Sequence, residues 1–516
     1  MLVFAAAMVS CSEKIVNDSP QLSHDMIVLG EQLSDPYSVD NITKALAALY
    51  PETRGRAAVE PTDFYVRFLP KTDEDLQLLE DLGLQLIDHP LDYRIVRDGD
   101  WYHDPDLSED EITWQYSVVP VDFEFPRGIR YERLEDCYLA EHDPATKSDG
   151  IDWFEVEREA FRISGNASML RPLTKGDLSA VPEGYITIMD PDYSSDPVGV
   201  KGVQVYCNSF VKICNAFTDE QGHYKMSRSY ASDVRYCLAF KNAKGFNQGI
   251  YFVLMPASVS TLGVHPASGC NTVIDCYSNY NLFSRCVVNN AGFDYIKLSE
   301  QSAGDIPAPA RDLRIWDLPL ARGNFNIMMH HGVILETFEP LHTVLGPYVI
   351  IAKMVQPDVY LGLDSCSSYN EVYGRALRVF AQAGMYSRAG AAWWHEYVVS
   401  EVGDTVMKSF EELLGNVGTE HGGVSSYVEL VHLYSNYCQT VLYRRHYPES
   451  TEVFGEEPYS PQLLLYLDER GLGLEKLAKI FSQDVTDKAI LKQKMLSYYP
   501  QFKTVILEAF DRYGKD

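Results

Sequence analysis

Residues 369–390 constrain the chain more than any other stretch. Tyr369 to Ala389 reads as one long helix, because Leu377, Phe380, Ala381 and Gly384 recur at a helical rather than an alternating period. Gly390 sits where a helix stop is expected, just before Ala391, Ala392, Trp393 and Trp394. Any fold of this sequence has to seat that helix.

At 516 residues the chain exceeds one simple core, and three or four domains are expected. Its apolar fraction of 46% and charged fraction of 23% are those of an ordinary folded protein. A net charge of -29 leaves no basic field to replace counterions, so a nucleic-acid partner is not expected. The run Leu2–Ser10 is apolar, ends in a small residue and precedes Cys11. It is too short to span a bilayer and fits the end of a secretory signal. Small residues before a cysteine resemble a bacterial lipoprotein cleavage site. The resemblance implies residues 1–11 as signal, a lipid on Cys11, and an outer-membrane location with the body at the cell surface. Residues 12–59 run polar and read as a tether. Setting Cys11 aside, nine of the ten cysteines remain, an odd number with no zinc-knuckle spacing, and mostly buried, inert thiols are expected.

Along the chain, 60–142 reads as a small α+β domain. Phe64, Val66 and Phe68 alternate as in a half-buried strand, Thr72 caps a helix stopped by Gly83, and Leu84–Ile87 reads as a returning strand. The runs 90–95 and 112–119 and the stretch 128–139 continue that sheet. Residues 143–194 connect, with a short helix at 152–161. Residues 195–256 read as all-β. In Thr218-Asp219-x-x-Gly222-x-Tyr224, Asp219 bonds local backbone and Gly222 takes positive φ. This turn, after the Gly202-Val-Gln-Val205 strand, resembles the carboxypeptidase regulatory-like β-sandwich, which implies a spacer or docking module without chemistry. Residues 257–516 read as mainly helical with short strands at 348–355 and 357–363, a second helix at 426–438, and amphipathic helices between 459 and 513. The expected fold is multi-domain α+β.

A strand, a helix bearing ligands and a second helix bearing the last ligand follow one another in zincin order. Arg378-Val-Phe-Ala-Gln-Ala-Gly-Met-Tyr-Ser-Arg-Ala-Gly390 resembles the active-site helix of a family of exported gut-anaerobe lipoproteins, with Ala381, Ala383, Tyr386, Ser387 and Gly390 matching. Members combine a small α+β domain, the sandwich and a gluzincin-like C-terminal domain. The resemblance places the first zinc ligand at Arg378, the general-base glutamate at Val379, the second ligand at Gln382, a further histidine at Met385 and the third ligand near His432, with Tyr434 in place of a following Trp. Zinc takes imidazole, thiolate or carboxylate donors, and a guanidinium, an amide and a thioether supply none. Loss of the glutamate removes the base that activates water. The resemblance thus implies a degenerate site, no catalytic residue, no cofactor and no metal. It leaves a cleft around Arg378, Gln382, Tyr386 and His432 for peptide or glycan, in an accessory subunit of a SusC/SusD-type TonB-dependent nutrient importer.

Two other readings stay open. Val428-Glu429-x-x-His432 lacks only the first histidine of a zinc motif, and His421 or His446 would have to complete an atypical metallopeptidase site. A purely structural surface lipoprotein is the third. His330, His331 and His395 read as scattered structural histidines, and Trp393 and Trp394 as core. No nucleophile elbow, phosphate loop or dinucleotide fingerprint is visible.

Overall fold

The computed structural model describes residues 26–51, 59–108, 111–147, 149–170, 180–249, 257–318, 323–333, 357–363, 366, 368–401, 425–456 and 458–514. Cys11, His421 and the strand expected at 348–355 lie outside them. The fold is α+β, with four sheets among the described residues.

The N-terminal body starts earlier than the polar composition suggests. β1 (Val28–Gln32) pairs with β3 (Tyr93–Arg97), and α1 (Val39–Leu49) follows. Ile42, Ala45 and Leu46 of α1 pack on Val156 and Ala160 of α3 (Trp153–Ile163). Part of the expected tether is therefore folded: its few apolar residues fall on one helical stripe. β2 (Asp63–Leu69) lies between β4 (Gln115–Pro120) and β5 (Arg130–Cys137). Val66 and Phe68 pack on Leu76 and Leu79 of α2 (Asp73–Asp81), whose first turn is held by a reciprocal Thr72–Asp75 cap. The other face of β2 is also covered, since Tyr65 packs with Tyr116 and Tyr206. The half-buried reading fails because the next unit supplies that cover. Leu84–Ile87 forms no strand, only one bridge from Ile87 to Tyr116, and β3 leaves this sheet for β1.

The β-body contains β6 (Glu183–Ile188), β7 (Val198–Gly199), β8 (Val203–Ser209), β9 (Lys212–Phe217), β10 (His223–Lys225), β11 (Val234–Asn242), β12 (Phe246–Gly249), β13 (Val259–His265) and β14 (Thr272–Ile274). The 218–224 turn works by local bonding. Asp219 Oδ1 accepts from the backbone N–H of Gln221 and of His223, both at 2.9 Å. Gly222 has φ +78°, and a Cβ there would lie 2.0 Å from the Ile186 carbonyl oxygen. Tyr224 is buried, its hydroxyl bonded to both backbone groups of Cys270.

The β-body does not end at residue 256. β12 pairs in parallel with β15 (Leu313–Leu318), which pairs with β17 (Val359–Gly362), and β16 (Asn324–Asn326) closes the edge antiparallel. One eight-stranded sheet thus runs from the units expected at 195–256 into 257–516.

Helices α4 (Tyr280–Gln301), α5 (Tyr369–Ala389), α6 (391–401) and α7 (Ser426–His446) pack by this sheet. α5 ends at Gly390, φ +87°. α4 and α5 approach closely, since a Cβ on Gly292 would stand 2.3 Å from the Phe380 ring. The tail forms α8 (Gln462–Glu469), α9 (Gly473–Ile480), α10 (Lys488–Tyr498) and α11 (Lys503–Tyr513). Nine cysteines are described; all are free thiols and only Cys276 is not buried. Burial pushes the Cys207 and Cys438 thiols up to about 12, so neither supplies thiolate at neutral pH.

Candidate functional site

α5 presents different residues to different neighbours. Phe380 meets Phe246 of β12, ring centroids 5.2 Å apart. The Val379 carbonyl accepts from Asn326 Nδ2 of β16 at 3.3 Å. Arg378 and Gln382, four residues apart and so on one face, turn toward α7. Met385 is buried in the core at 2% exposure.

At the α5–α7 seam, Arg378 Nη2 lies 2.5 Å from His432 Nδ1, and His432 Nε2 lies 3.3 Å from Glu401 Oε2 of α6. A guanidinium only donates, so Nδ1 is the acceptor. The imidazole proton then sits on Nε2 and points at Glu401. The His432 ring rests on Tyr459, centroids 4.3 Å apart. One turn along, Gln382 Nε2 reaches Ser435 Oγ at 3.5 Å. Burial pushes the Arg378 guanidinium below its ordinary value, against the pull of Tyr397 and Glu401. It remains the cation of the cluster. Arg378 Nε and Gln382 Oε1 are buried without a hydrogen-bond partner.

Of the residues singled out in the sequence, Arg378, Gln382 and His432 come together. Val379 and Met385 belong to the packing of α5. Tyr386 lies off the cluster, its ring edge-on to Trp394 and its hydroxyl 3.5 Å from the His331 carbonyl. Trp393 and Trp394 are buried and donate to the carbonyls of Val485 and Asn326. Glu429 is ion-paired to Lys488. His446 is fourteen residues beyond His432 on the same helix, about 21 Å along its axis, and bonds Asp190 instead. His331 is held by Asp358 and the Arg311 carbonyl, while burial, then Arg314, push its neighbour His330 down to about 4. His395 Nε2 is buried without a partner.

Glu401 and Tyr459 had no signal in sequence, since neither lies in a motif.

Zinc does not fit the seam. Among the described residues no three His, Cys, Asp or Glu side chains converge as a metal site needs. The guanidinium occupies His432 Nδ1, and Nε2 is turned to Glu401. The arrangement can hold a hydrogen-bonded ligand. Compared with known protein families and with curated protein sequences, the chain matches none.

Proposed function

We propose that this chain is a non-catalytic binding protein built on a peptidase-like scaffold, lipid-anchored at Cys11 on the outer surface of the outer membrane. In this reading it serves a SusC/SusD-type importer as an accessory subunit and captures peptide or glycan. The carrying observation is the Arg378–His432–Glu401 chain of hydrogen bonds, which puts a fixed positive charge at the position that the resemblance gives to the first zinc ligand. The order of β17, α5 and α7 supports the zincin-like part of the reading. The surface and importer parts rest on the sequence of residues 2–11 and on the resemblance. The finer division into an N-terminal α+β unit, a regulatory-like sandwich and a gluzincin-like unit belongs to the same proposal.

The test is metabolic labelling with a fatty acid, followed by affinity capture from detergent-solubilised outer membranes. The expected result is label on the wild type and none on Cys11→Ser, with a TonB-dependent channel recovered alongside the labelled protein. An unlabelled wild type, or capture without any channel, overturns the placement.

A further inference from the structure

We propose that the cavity between the β-body and helices α4, α5 and α7 binds a small ring-bearing carboxylate. It lies on a different face of α5 from Arg378 and goes beyond the reading given above. Its volume is about 540 Å³, within the range of small-molecule sites. Tyr369, Tyr373 and Leu377 of α5 line it, together with Leu442 of α7.

One wall is aromatic. The His446 ring contacts Tyr193 at 4.5 Å between centroids, nearly parallel at 21°, and Tyr373 at 4.4 Å. Tyr193 is 55% exposed, so it stands at the rim with ring surface uncovered. His446 is fixed from behind. Fully buried Asp190 takes its Nε2 at 3.1 Å and the Tyr447 hydroxyl at 3.0 Å.

The bonding state of the lining groups selects the ligand. Asp294 is already engaged, with Lys201 Nζ on its two oxygens at 2.7 and 2.8 Å and the Tyr373 hydroxyl donating at 3.0 Å. Glu220 is paired with Lys297 at 2.6 Å. The acidic groups of the cavity are thus spent. Among the described residues, His446 Nδ1 and the Arg445 guanidinium remain without a hydrogen bond or ion pair. The Arg445 guanidinium, which lines the cavity, matches a carboxylate, and the wall of Tyr193 and His446 rings matches the face of a ring. In a chain of net charge -29, a cavity whose free polar groups include a cation is set apart from its surroundings.

Isothermal titration of the full chain tests the proposal with two pairs of probes: benzoate against benzamide, and galacturonate against methyl galactoside. The expected result is binding of at least one carboxylate at millimolar concentration or below, with its neutral counterpart about tenfold weaker or more. Arg445→Gln, an exposed position, weakens that carboxylate by about tenfold, and Tyr193→Ala weakens it too. Equal binding of acid and neutral probes, wild-type affinity in Arg445→Gln, or no binding of either carboxylate at millimolar concentration overturns it.

Discussion

Replacing Arg378 by Met is expected to lower the unfolding free energy by about 3 kcal/mol, read from urea unfolding at neutral pH. Methionine fills much of the same volume, so lost packing is the smaller part. The larger part comes from the partner: His432 Nδ1, now 2.5 Å from the guanidinium, would be left without its donor. Removing one member of a buried charged group costs more than removing the group together. The double variant Arg378→Met/His432→Leu should therefore be less destabilised than the two single losses added, with a coupling of about 1–3 kcal/mol. Strict additivity would mean that Arg378 and His432 do not act as a unit.

A second large effect is expected from Asp317 on β15. Its carboxylate is buried, neither oxygen has a hydrogen-bond partner, and burial pushes it up to about 7 despite the opposing pull of Arg285. Arg285 is itself engaged by Ser260 at 2.8 Å. In the unfolded chain the same group titrates near pH 4. Between about pH 4 and 7 the folded protein holds a proton that the unfolded chain has released. Stability from this group is thus present at low pH and falls as pH rises through that window, by about 2–4 kcal/mol. Asp317→Asn has nothing to titrate. It should match the wild type near pH 4 and exceed it by that amount near pH 8 in paired denaturant titrations. A wild-type-minus-variant difference that does not change with pH would contradict the assignment.

The features readable in the sequence are those whose causes are local. Thr72 with Asp75, the Asp219–Gly222 turn and the Gly390 stop each draw on neighbours within a few residues. Spacing alone also put Arg378 and Gln382 on one face of α5. That α7 offers His432 and Ser435 to that face, and α6 adds Glu401, depends on packing between distant segments. The same holds for Tyr65, whose cover comes from Tyr206, and for the eight-stranded sheet, because a short strand does not reveal its partner. The folded helix at 39–49 was hidden for another reason: a narrow apolar stripe within a polar stretch looks like a tether when composition is read before period. The Asp190–His446 pair joins residues 256 apart in the chain, beyond any motif.

In the proposed reading, the Arg378 guanidinium stands where a peptidase would need a metal. The most direct measurement is metal analysis of the purified protein, with peptide hydrolysis assayed before and after zinc addition. The expected result is no stoichiometric zinc and no cleavage in either condition. One equivalent of zinc per chain, with cleavage abolished by a chelator and restored by zinc, would contradict it.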